Sequence, residues 1–296
     1  MADESGESRP LLRKTETGDF VLSKIKSYDE LKRSTKEGGG EAFNLLLERI
    51  INDQVEIKPY FEDQKPFLFK CLDMEGNELP FVMKAPFPPD TSKAADGVEK
   101  SHRKHVELLG HEFVEDMTRI TIKKPQMVEG ILQRFEESGS RASARPETVD
   151  VFIQDLRGIE GKLPNLWAYI VKNRNNMKPE MKRILITFFE RMQGGMKKGY
   201  VFDMGEFPDR EFTSDEEERL FQGKKSNVIV DAEGPSFIDS GSIMMDREGR
   251  SYGPIPQLSA QLAIKLLQKE IELDFAMQQM REGRQRMMEE RAHRRP

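Results

Sequence analysis

The stretch Gly223–Gly241, GKKSNVIVDAEGPSFIDSG, decides how the rest of the chain is read. A polar lead-in gives way to the short apolar run Val228–Val230, a turn at Asp231–Gly234, and a second run, Ser236–Ile238, that ends on Asp239. Two β-branched and aromatic runs joined by an Asp/Glu/Gly turn predict a β-hairpin. Asn227 stands just before the first strand and Asp239 just after the second. A hairpin brings its outer ends together, so an amide oxygen and a carboxylate are expected side by side at its mouth. Hard oxygen donors on strand ends suit Mg2+, which keeps several waters and is usually completed by phosphate.

Composition narrows the setting. The chain has 296 residues, enough for one large domain or two small lobes, with 36% hydrophobic and 33% charged residues. So polar a balance predicts ends that stay outside a folded centre. The formal net charge of −5 argues against nucleic acid as the main partner. Cys71 is the only cysteine, which excludes a disulfide framework or a thiolate metal cage. No apolar run reaches the length of a membrane span and MADESGESRP has no apolar signal core, so a cytoplasmic, reducing compartment is expected.

Outward from the hairpin, residues 1–40 read as a disordered leader in which Phe20, Val21 and Ile25 could dock as a short element. Glu41–Ile51 has helical spacing. Phe67–Leu72 and Leu79–Ala85 alternate as strands about the turn Asp73–Gly76, and Lys84 closes the second of them. A lysine there is usually an edge residue whose stem lies along apolar surface; the other reading is an inward charge for a phosphate. Thr91–Ile120 carries Val106, Leu109, Phe113 and Met117 at helical steps, and Ile120–Gly130 is more strand-like. Val149–Leu156 is the strongest strand pattern and runs into the linker Arg157–Gly161. Helices are expected from Leu166, over Pro179–Met196, and over Leu258–Met280, with a charged flexible tail at 281–296. The fold class is therefore α+β, with a β-rich lobe at 41–156 and a helical lobe containing the hairpin at 157–280.

Taken in order, FVMK, the following helix, the strand VDVFIQDL, and SNVIVD with FIDSG resemble the protein-kinase-like superfamily over roughly residues 55–245. The resemblance implies a two-lobed fold that binds ATP and Mg2+. Lys84 would face the nucleotide phosphates, and Glu107, or Glu112 in second place, would hold Lys84. The end of the strand, with Asp155 and Leu156, would be the hinge whose backbone meets the adenine. Asn227 and Asp239 would bind the metal, and Asp203, after GYVF, would orient or deprotonate an acceptor hydroxyl if Met204–Gln222 is an insertion. The acceptor, protein or small molecule, is left open.

Departures from the family pattern are specific. No glycine-rich phosphate loop precedes Lys84, Gln222 occupies the position five before Asn227, and Ser240 follows the metal aspartate. They keep a second reading in view, a pseudokinase that binds nucleotide or protein without phosphoryl transfer, and a third in which AMP is transferred. His102, His105 and His111 lack the spacing of a zinc motif and read as packed or exposed histidines. Ser138, Ser140 and Ser143 lie in an Arg-containing loop open to phosphorylation, and the Met/Arg run Met277–Arg295 reads as a solvated helix end.

Overall fold

The computed structural model describes residues 12–14, 20–22, 39–60, 67–87, 92–137, 139, 145–155, 163–205, 207–208, 227–238, 244–245 and 255–293. Among these the fold is mixed α+β, with seven α-helices and one five-stranded antiparallel sheet beside three two-stranded ribbons. The chain divides into two compact units, Met1–Gly97 with Asp116–Arg157, and Val98–Glu115 with Gly158–Pro296.

In the first unit, β1 (Leu12–Lys14) pairs antiparallel with β2 (Phe20–Leu22), so part of the expected leader forms a ribbon. Helix α1 (Gly39–Gln54) precedes β3 (Glu56–Pro59), β4 (Leu68–Leu72) and β5 (Glu78–Lys84). After the start of α2 (Ser92–Leu109) come β6 (Met117–Ile122), α3 (Pro125–Glu137) and β7 (Val149–Asp155). The strand order is β3-β4-β5-β7-β6, with β5 in the middle.

The alternation of the strands explains the core. Phe69, Cys71, Phe81, Met83, Ile120, Ile122, Val151 and Ile153 all fall on one face, since successive side chains point to opposite sides. That face is covered by Leu47, Ile50 and Ile51 of α1 and by Met127, Val128, Ile131, Leu132 and Phe135 of α3. Burial pushes the Cys71 thiol well above its ordinary range. The edge strand β6 is closed by α1: Asn52 Nδ2 donates to the Thr121 carbonyl at 2.9 Å, and Thr121 N–H donates to Glu48 at 3.2 Å. An edge whose polar groups are satisfied this way is a poor template for another strand.

Two expectations are corrected here. The helix read over Thr91–Ile120 stops at Leu109, where Gly110 takes φ +97, a conformation favouring glycine. The strand-like reading of Ile120–Gly130 ends at Ile122, because Pro125 opens α3 and proline suits a first helical turn.

The second unit holds the rest of α2, a 3₁₀ turn at His111–Phe113, α4 (Leu166–Asn173), α5 (Pro179–Lys197), β8 (Tyr200–Val201), β9 (Val228–Val230), β10 (Pro235–Phe237), β11 (Met244–Met245), α6 (Ile255–Leu267) and α7 (Leu273–His293). Leu185, Phe188, Phe189 and Met192 of α5 are fully buried, with Trp167 of α4 stacked 5.6 Å from Phe189. The single helix expected over Leu258–Met280 is two. Lys269 adopts φ +61 between them, and α7 then carries the expected tail on as helix to His293. Arg284 of α7 donates to the Phe207 carbonyl at 2.6 Å, which anchors this helix against the loop after β8. No helix among the described residues is long and apolar enough to cross a membrane.

Candidate functional site

The hairpin forms as its sequence predicts, one residue displaced in its second strand. Val228 pairs with Phe237 and Val230 with Pro235, around the turn Asp231–Gly234. Asp231 builds that turn: its Oδ1 accepts from Glu233 N–H at 2.7 Å and Gly234 N–H at 3.0 Å. Gly234 has φ +140, and a Cβ there would stand 2.8 Å from Ile184 of α5. The ladder continues past the strands, because Ile238 N–H donates to the Asn227 carbonyl at 2.9 Å. Asn227 is thus fixed at the mouth opposite Ile238. Asp239 is the next residue along and lies outside the described residues, as do Leu156 and Gln222.

Three-residue strands hold too little surface to stand alone, and the surroundings supply the rest. Asn165 forms a β-bridge with Ile229, and Val230 N–H donates to the Pro164 carbonyl at 3.0 Å. The same Asn165 caps α4, its side chain accepting from Ala168 N–H at 2.9 Å. On the other side, Val114 bridges Phe237 in parallel, and Glu115 N–H donates to the Phe237 carbonyl at 2.9 Å.

Asp203 follows β8 directly after the buried Phe202. It is exposed, and its Oδ1 accepts from Gly205 N–H at 3.1 Å. Strand β8 pairs with β11, Met244 opposite Val201 and Met245 opposite Tyr200. The strand before Asp203 is therefore tied to the strand that follows the 239–243 segment. Phe202 and Phe237 meet with ring centroids 6.1 Å apart, so the backbone entering Asp203 and the strand beside Asn227 converge on one aromatic cluster.

The other site residues fall as follows. Lys84 closes β5, flanked in register by Leu68 and Phe152, and is half-buried on the sheet face opposite the α1/α3 core. Arg119 extends the same cross-strand row and holds Asp96, in the start of α2, at 2.7 Å, and Asp150. Asp155 ends β7 opposite Phe81. Glu107 is exposed on α2 and engages Lys104 at 2.6 Å, a pairing that raises the lysine's affinity for its proton. Glu112 accepts from its own backbone N–H and pairs with Arg191 at 2.6 Å; these hydrogen bonds hold its carboxyl below the usual range. Both glutamates weighed as partners for Lys84 are thus ion-paired inside the second unit.

Among the described residues no group of three or more His, Cys, Asp or Glu side chains converges as a metal cage. Of the histidines expected to be packed or exposed, His105 is packed. It is buried, 2% exposed, with ring contacts to both Phe202 and Phe237. Its placement at four residues from Ser101 and Leu109 on an amphipathic helix was the available signal. No protein-family model matches the chain, and no curated protein matches it.

Proposed function

We propose that the chain is an ATP- and Mg2+-dependent phosphotransferase of compact, atypical protein-kinase-like type, its two units acting as the two lobes. The observation that carries the reading is the strand arrangement around the hairpin. Asp203 follows β8, Asn227 precedes β9, and Asp239 falls between β10 and the β11 strand that pairs back onto β8. Asp203 and Asn227 thereby stand beside strand ends of the two ribbons, and Asp239 lies in the sequence between β10 and β11. Further support comes from Lys84, which closes the middle strand of a five-stranded antiparallel sheet and is followed by a helix, the order in which a kinase-like fold sets its phosphate lysine.

The donor chemistry fits the metal. Asn227 and Asp239 would offer two hard oxygens, too few for an all-protein cage and suited to Mg2+ completed by water and phosphate. Bound there, the ion would neutralise charge on the transferred phosphoryl group. Lys84 would orient the phosphates as a point charge, and Asp203 would accept the acceptor's hydroxyl proton. Catalysis of this kind is positioning plus charge stabilisation.

The test is transfer of label from γ-labelled ATP with Mg2+. Asp239→Ala is expected to cut the rate by about a hundredfold or more, the scale of losing one charge-stabilising group. Undiminished transfer in that variant sinks the assignment. Gln222, standing five residues before Asn227, favours the pseudokinase as the second reading. Thermal stabilisation by ATP and Mg2+ without transfer would select it, and incorporation from α-labelled ATP would instead identify AMP transfer.

A further inference from the structure

His105 sits where α2 meets the candidate site, and it is held there in one orientation. Its Nδ1 lies 3.0 Å from the Ser101 carbonyl; a carbonyl only accepts, so Nδ1 carries the proton and donates. The ring so fixed stands edge-on to Phe202, centroids 5.6 Å apart at 76°, and tilted to Phe237, 5.2 Å apart at 57°. With the Phe202–Phe237 contact the three rings form a closed triangle. Phe202 is the residue before Asp203, and Phe237 is the cross-strand partner of Val228, next to Asn227. Phe202 is also packed closely against α5. A Cβ on Gly195 of α5 would come 2.7 Å from its ring, so only glycine leaves it room.

We propose that His105 is a positioning residue for phosphoryl transfer, a wedge carried by α2 that sets the spacing between the Asp203 loop and the Asn227 hairpin. The inference rests on the reading above, in which Asp203 and Asn227 serve one reaction. Its physical basis is the stiffness of packed aromatic rings: interiors are close-packed, so removing one ring lets the other two shift. A displacement of about 1 Å between reacting groups can cost about a hundredfold in rate. The residue touches neither nucleotide nor acceptor, so the loss belongs in kcat and not in the KM for ATP.

The experiment compares the full-length wild type with His105→Ala, His105→Phe and the control Leu267→Ala, which opens a cavity in the same core on α6. Rates with Mg-ATP and Mn2+ affinity by electron paramagnetic resonance are measured for each at temperatures where all are folded. Expected for His105→Ala is a kcat lower by about a hundredfold at unchanged KM for ATP, with most of the rate restored in His105→Phe, which keeps a ring. A kcat for His105→Ala equal to that of Leu267→Ala overturns the proposal and leaves the phosphotransferase reading standing. Mn2+ affinity, which Asn227 and Asp239 would set, is expected to be the same in His105→Ala and Leu267→Ala; weaker binding in His105→Ala would assign the loss to the metal site and overturn the wedge. A wild type that transfers no phosphate overturns both this proposal and the phosphotransferase reading.

Discussion

The five-stranded sheet of the first unit and the β9–β10 hairpin of the second are both antiparallel, and they are stabilised in different ways. The sheet shares its load among four ladders, one fully packed face and two helices, so each contact carries a small part. The hairpin has three residues per strand and depends on a few fastenings from outside: the Asn165 bridge, the Val114 bridge, the close approach of Gly234 to Ile184, and the ring cluster at Phe237. Redundancy makes the sheet tolerant. Economy makes the hairpin sensitive to single changes.

The widest gap between the two regions should appear at Phe237. Phe237→Ala removes ring contacts to His105, Phe188 and Phe202 at once and is expected to cost about 3–5 kcal/mol, read as a shift in the denaturation midpoint. A loss below about 1 kcal/mol would mean the hairpin is held by its backbone bonds alone. Gly234→Ala comes next, at about 1–3 kcal/mol, from a left-handed φ and a Cβ pressed on Ile184. For the sheet, Ile153→Val in the centre of β7 should cost only about 0.5–1.5 kcal/mol, because neighbouring strands and α1 keep the face closed. A larger loss there than at Gly234 would reverse the comparison.

The smallest effect is a pH dependence at the joint between α2 and α5. Glu112 is held below its ordinary range by its own backbone N–H and by Arg191. The folded state therefore binds this proton less readily than the unfolded state. Its contribution is present above the unfolded value and is lost as pH falls through the folded one. The stability difference between wild type and Glu112→Gln should be visible near neutrality and fade below about pH 4. A difference that grows in acid would exclude this ion pair as its source.

Local pattern carried much of this fold. Alternation in FLFKCL, LPFVMK and VDVFIQD and the Asp/Gly turn of the hairpin are short-range signals, and the strands stand within a residue of where they were expected. What sequence left hidden is long-range or unfavourable locally. The two-residue strands β8 and β11 have no periodicity, and only their pairing makes them strands. The break between α6 and α7 places a lysine, not a glycine, at positive φ, while apolar spacing runs on through it. Glu107 was the first choice as a lysine partner by resemblance alone, and helix geometry sets it three residues from Lys104, which it engages. The position of Asn227 beside a strand end was legible; the aromatic cluster around it draws residues from 105, 202 and 237 and could not be seen in any one stretch.

The chain's only cysteine and only tryptophan fall one in each unit, Cys71 inside the sheet and Trp167 at the heart of the helical core. Each unit thus carries its own native reporter. The sealed, protonated thiol is silent toward thiol-specific reagents until its sheet opens, and the indole's fluorescence follows only the packing around it. Thiol labelling and tryptophan emission recorded along one denaturation curve would give two independent clocks. Coincident midpoints would describe a single cooperative molecule, and separated ones two parts that come undone in turn.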